Sequence, residues 1–270
     1  MSSLIQTIDF GSRPSLPMDV LRRRAPAVFA DHQFEKKTSA NYVFISTQQL
    51  VDALRDSGFH PTDARQRWSR GDRLGYARHM IRFRAHDALC FVDCTPEIIL
   101  INSHDATSAY ELRGGLYRFV CCNGLIVSLA EFGVIRIPHR GNAVASVVEG
   151  ARKIMDQLTG IGPIIEKMAR TELDERAQLA FAQRALELRY RNRDYYPFDA
   201  NRLLDARRDT DRQNSLWCVY NRVQENIICG GIEGKSAAGR KVTSRRITAV
   251  QEDVRLNVAL WHEAMALVRP

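Results

Sequence analysis

Three groupings of side chains in this 270-residue chain have the types and spacing to do chemistry. The first is the polar knot Asn102-Ser103-His104-Asp105, flanked by Glu97 upstream and His139 downstream. His104 has the chemistry of a general base, Asp105 or Glu97 that of its partner, and His139 that of a second acid–base group. The same set, with Asp93, has the donor types a divalent ion takes. Against catalysis, Ser, Asn and Asp at a strand end are ordinary turn residues, and no nucleophile lies in a recognisable elbow. The second grouping is a set of arginines between apolar or aromatic neighbours: Arg82 and Arg84 in Ile81-Arg82-Phe83-Arg84, Arg118 in Tyr117-Arg118-Phe119, Arg136 in Ile135-Arg136-Ile137, and Arg140 just beyond. Charge interleaved with rings is what a single-stranded nucleic acid needs, provided the strands place the arginines on one face. The third is Gly234–Arg246, whose basic residues Lys235, Arg240, Lys241, Arg245 and Arg246 are offset by no acid. Its small residues suggest a mobile loop that orders on a phosphate backbone.

Other chemistries are weaker. Gly234-Lys235-Ser236 resembles the end of a phosphate-binding loop, but Cys229 stands where that motif needs its first glycine, and a helix precedes it instead of a strand. Cys90, Cys94, Cys121 and Cys122 form a poor zinc set, because adjacent residues of a strand point to opposite faces. The cysteines therefore read as reduced structural thiols. Neither a resident metal nor a cofactor is expected. A net charge of +8 and 26% charged residues suit a globular protein with an anionic partner. No apolar run approaches the roughly 20 residues of a membrane span. With no basic segment leading into an apolar core at the N-terminus, the expected compartment is the cytoplasm.

The elements that must position these groups follow from periodicity. Residues 1–40 read as an irregular basic arm, broken by Pro14, Pro17 and Pro26 around Arg22-Arg23-Arg24, with a short helix over Asp19–Arg24. Residues 41–270 read as a single α+β domain, sheet-rich over 41–142 and helical over 143–270. Tyr42–Ile45 reads as a strand, followed by a helix ending at Gly58 and a strand beginning near Asp63. Runs at Ile98–Ile101, Leu116–Val120, Leu125–Leu129 and Val134–Ile137 complete an antiparallel or mixed sheet. The helical half comprises stripes over Val144–Leu158, Ile164–Arg170, Asp174–Arg191, Asn214–Cys229 and Glu252–Val268. The last stripe also suits a helix pair with a second copy, so a homo-oligomer is a candidate state. The stretch from Arg202 to Arg212 balances its arginines with aspartates and reads as a solvated loop.

The segments EIILINSHD (Glu97–Asp105), LYRFVCCNGLIV (Leu116–Val127), FGVIRIPHRGN (Phe132–Asn142) and LWCVYNRVQENIICGGIEGKSAAGRKVTSRRIT (Leu216–Thr248) carry a family resemblance. From about Tyr42 onward the chain resembles the uncharacterised phage- and plasmid-like proteins that include the YfjQ and YafZ prophage products. That resemblance implies the company of plasmids, prophages and integrative elements, and it implies neither an activity nor catalytic residues. Three readings follow. The first is a non-enzymatic mobile-element protein that binds nucleic acid, preferentially single-stranded DNA, in recombination or replication. The second is a metal-assisted hydrolase or nuclease using Glu97, His104, Asp105 and His139. The third is a protein-interaction module, such as an inhibitor of host defence.

Overall fold

Strand β3 (Cys94–Asn102) is buried at all nine positions. Its Ile98-Ile99-Leu100-Ile101 run has no polar alternation because both faces of the strand are covered. Around it the chain forms an antiparallel sheet in the order β1-β2-β3-β4-β5, with β1 (Phe59–Gln66), β2 (His79–Ala85), β4 (Tyr110–Arg118) and β5 (Asn123–Ile126). Strand β6 (Ile135–Ile137) pairs with the start of β4, whereas β5 pairs with its end. The computed structural model describes residues 15–34, 43–67, 71–85, 90–105, 107–119, 123–127, 134–138, 143–191 and 195–268. Its contacts divide the chain into two units, Met1–Gly160 and Ile161–Pro270.

In the first unit, helix α1 (Met18–Arg24) and a 3-10 turn at Pro26–Phe29 precede helix α2 (Thr47–Asp56). Residues 15–34 contain the short helix expected over Asp19–Arg24 and pack against the rest of their unit. Leu21, Ala25, Ala27 and Val28 are fully buried, the Leu16 amide donates to Pro61 O at 2.6 Å, and Arg24 pairs with Asp63 at 2.8 Å. The expected strand at Tyr42–Ile45 does not form over its described residues, 43–45. This apolar segment leads into α2, and Ile45 O accepts from Tyr110 Oη rather than from a strand neighbour. Strand β1 begins at Phe59, earlier than Asp63, directly after Gly58 ends α2. Helix α3 (Ala143–Leu158) packs on β3 and β4, so the first helix after the sheet is part of the sheet's own core.

The second unit surrounds α6 (Leu216–Cys229) with α4 (Gly162–Arg170), α5 (Glu175–Arg189) and α7 (Val250–Leu267). The Asp174 carboxylate caps α5 by accepting from the Ala177 amide at 2.7 Å. The i, i+4, i+7 stripe of α6 suggests one apolar face, yet every residue from Leu216 to Ile228 is buried. Several of its polar positions are matched inside. Arg208 makes two 2.7 Å bonds to Glu225, Asn226 Nδ2 donates to Leu203 O and Asp205 O, and Gln224 donates to Asn257. The Arg202–Arg212 stretch is thus pinned to α6 at Asp205 and Arg208 instead of lying free in solvent. Among the described residues no helix is long and apolar enough to cross a membrane.

Candidate nucleic-acid interface

Strand register decides where the sheet arginines point. Arg82 lies opposite Ile99, and Arg118 lies opposite Cys94. Ile99 and Cys94 are an odd number of positions apart on one strand, so Arg82 and Arg118 occupy opposite faces of the sheet. Arg136 lies opposite Glu111, which shares the face of Ile99. The single arginine face expected from the sequence therefore does not exist. Nor are the charges of Arg82, Arg84 and Arg118 available to a polyanion. Arg82 Nη1 and Arg84 Nε each sit 2.8 Å from the Glu97 carboxylate, whose side chain is 0% exposed. Arg84 also stacks 3.7 Å above the Tyr117 ring. Arg118 is buried against Asp93 at 2.5 Å. Burial requires each guanidinium to find a carboxylate inside, and that is what Glu97 and Asp93 supply. Arg136 remains exposed, 3.5 Å from Glu111. Arg140 lies outside the described residues.

The polar knot is a buried hydrogen-bond centre followed by a turn. Thr47 Oγ1 is shared by His79 Nε2 at 3.1 Å, His104 Nε2 at 3.0 Å and Asn102 Nδ2 at 3.1 Å, and all four residues are fully buried. A hydroxyl donates once and accepts twice. The count closes if Thr47 donates to His79 and accepts from Asn102 and His104. His79 Nδ1 then carries its proton toward Ala77 O, 3.0 Å away. Burial pushes the His79 pKa down to about 4, against smaller upward effects of Ala77 O and the Asp105 charge. Asp105 accepts from the Thr107 amide and hydroxyl, an Asx turn. Glu97 and His104 are not brought together. Five strand positions of about 3.3 Å each separate Glu97 from Asn102, and His104 lies beyond that. Among the described residues no three His, Cys, Asp or Glu side chains could hold a metal. His139, Cys121 and Cys122 lie outside the described residues. Cys90, Cys94 and Cys218 are buried thiols, and burial raises the Cys94 pKa well above its ordinary value.

The basic stretch after α6 folds as a hairpin. Strands β7 (Glu233–Lys235) and β8 (Lys241–Thr243) pair antiparallel, and Ser236 closes the turn between them by accepting from Gly239 and exchanging bonds with Arg240. Gly230 holds φ +70, and a Cβ there would lie 2.6 Å from Ser244 O, so only glycine admits the returning strand. At Gly234 a Cβ would lie 2.0 Å from Pro197 O, where the hairpin presses on the preceding segment. The Lys235 amide donates to Pro197 O at 2.8 Å, Tyr195 Oη donates to Lys235 O at 3.0 Å, and Arg189 Nη2 donates to Arg245 O at 2.8 Å.

On this frame Lys235, Arg240, Lys241, Arg245 and Arg246 are all exposed, and among the described residues none lies within 4 Å of a carboxylate. Lys235 stands directly opposite Lys241. Like charges in that position repel, and an external anion would relieve the repulsion. Tyr195, 48% exposed, sets a ring beside them. Neither the bond of Tyr195 to Lys235 nor the Thr47 centre has a local signal in the sequence, because each joins residues far apart in the chain.

No solved structure matches this chain. It is 38% identical over 254 residues to the UPF0380 protein YafZ of Escherichia coli strain K12, covering 94% of this chain and 92% of that protein. It is 37% identical, with the same coverage, to the UPF0380 protein YfjQ of that strain. The model of the family described as a domain of unknown function, DUF932, matches residues 36–261. With that match spanning most of the sheet unit and nearly all of the helical unit, the chain belongs to the DUF932 family.

Proposed function

We propose that this protein binds nucleic acid, single-stranded DNA in preference, through the β7–β8 hairpin and the Arg245-Arg246 segment that follows it. The observation that carries the reading is the Lys235–Lys241 cross-strand pair, exposed and without a carboxylate partner among the described residues. A protein gains nothing in stability by facing two ammonium groups across a hairpin, whereas a phosphate backbone gains from both. The frame is fixed before any ligand arrives, so little ordering entropy opposes binding. Tyr195 supports the single-strand preference, because stacking on a ring needs a base free of its duplex. The setting we infer is the single strands formed when plasmids and prophages recombine or replicate.

Fluorescence anisotropy with a labelled oligothymidylate across a salt series tests this. Each neutralised phosphate contributes about −0.7 to the slope of log K against log salt for a single strand, so five cations give a slope of about −3.5. The double variant Lys235→Ala/Lys241→Ala should flatten it by about 1.4. No binding at low salt, or an unchanged slope in the variant, refutes the reading and leaves the protein-interaction alternative.

A further inference from the structure

A cleft bounded by Pro26, Phe29, Ala30, Asp31, Gly75 and Tyr76 holds a hydrogen-bonded series that the hairpin reading does not use. Asp31 Oδ1 lies 2.5 Å from His32 Nδ1, and His32 Nε2 lies 2.5 Å from Tyr76 Oη. With the carboxylate holding the proton on Nδ1, Nε2 is left as an acceptor for the phenolic proton. This is the logic by which a carboxylate and an imidazole activate a hydroxyl, with a phenol as the hydroxyl. The order is sustained by rings. His32 meets the Tyr76 ring edge-on at 5.4 Å, and Phe34 packs at 5.3 Å. The Asp31 pKa is lowered, first by its hydrogen bond with His32, which keeps the carboxylate ionised.

Two guanidinium groups flank the series. Arg22 lies 3.9 Å above the Phe29 ring, and Arg73 lies 5.9 Å from the Phe34 ring. Both are exposed, and among the described residues neither has a carboxylate within 4 Å. Planar guanidinium forks match phosphate oxygens. A Cβ at Gly75 would meet nothing within 4 Å, and Asp31 and His32 are exposed, so the cleft opens to solvent.

We propose that Tyr76 is a nucleophile toward phosphodiesters, with His32 as its general base and Arg22 and Arg73 holding the phosphate. Tyr76 Oη bonds to phosphorus as its proton passes to His32 Nε2. The bond from phosphorus to one sugar oxygen breaks, and that oxygen takes the proton from His32. The products are a phosphotyrosyl diester and a free hydroxyl, and attack by a hydroxyl on the diester reverses the step without any further reactant. Asp31 is a positioning residue. This site lies in the sheet unit and does not rest on the hairpin.

The full chain is mixed with end-labelled oligonucleotide, single-stranded and duplex, and in parallel with bis(p-nitrophenyl) phosphate, whose reaction needs no nucleic-acid affinity. The expected results are a denaturant-resistant adduct mapped by mass spectrometry to Tyr76, and a burst of one nitrophenolate per chain. Tyr76→Phe, checked for an unchanged circular dichroism spectrum, should abolish both. His32→Ala should slow both about 100-fold, with imidazole restoring part of the loss. Asp31→Asn should slow them as well, and Asp31→Glu should recover part. Absence of adduct and burst from the wild-type chain overturns the proposal, as does an adduct that persists in Tyr76→Phe.

Discussion

Acid should loosen the sheet unit through one residue. His79 is fully buried, with its ring between Ala77 O and Thr47 Oγ1. Protonating it would point a second N–H at a hydroxyl that already accepts from Asn102 and His104, besides placing a charge in the core. Its pKa accordingly falls to about 4, from an unperturbed 6.5. The folded value is the lower one, so the unfolded chain takes the proton first. The stability involved is fully present above pH 6.5, declines as pH falls through the window from 6.5 to 4, and is gone below it. A shift of about 2.5 units is worth about 3 kcal/mol in all, of which about 2 kcal/mol is lost between pH 7 and pH 5. That is a sizeable part of a typical stability of about 5–15 kcal/mol. Urea unfolding followed by circular dichroism at pH 7, 6, 5.5 and 5 should show the midpoint falling, with a limiting slope near 1.4 kcal/mol per pH unit. In His79→Gln, whose amide oxygen can still accept from Thr47, that slope should vanish while carboxylate titration remains. An equal pH slope in the variant, or a flat profile in the wild type, would refute the reasoning.

Further outcomes follow from the same geometry. Glu97→Gln removes the carboxylate shared by the buried Arg82 and the half-buried Arg84 and should cost about 3–5 kcal/mol in urea unfolding, whereas Arg136→Ala, with its side chain 70% exposed, should change stability by less than about 1 kcal/mol. Tyr195→Ala should weaken oligothymidylate binding by about 1–3 kcal/mol in the anisotropy assay, and Tyr195→Phe should retain most of it, since the ring does the stacking. Gly230→Ala should displace the hairpin and reduce binding while leaving the helical circular dichroism signal intact. Tyr76→Phe should remove the covalent adduct.

Local pattern was a good guide to where the elements lie along the chain. The helix stripes from Val144 onward fell within a few residues of α3, α4, α5, α6 and α7, and the Ile98–Ile101 run lies in β3. Pattern failed where pairing between distant segments decides. Arg82 looks exposed by alternation with Ile81 and Phe83, and only the arrival of Glu97 from the next strand shows that it is buried. The same holds for Arg118 and Asp93. The charges of Lys235 and Arg240–Arg246 were legible because nothing in their own neighbourhood offsets them. Their hairpin was not, because it is fixed by Pro197 and Ser244 rather than by strand-forming residues. His32 and Tyr76 lie 44 positions apart, and no spacing rule joins them.

Enclosure of α6 on every side has a consequence for how the helical unit comes apart. A helix with one flank in water can shed its outer turns a few at a time. Here each turn is clamped by neighbours, and several of its polar groups are tied to Leu203, Asp205 and α7. Its amide protons should therefore trade with deuterium only in openings that dismantle the whole bundle, all at one common rate, while the hairpin beyond Gly230 exchanges on its own faster clock.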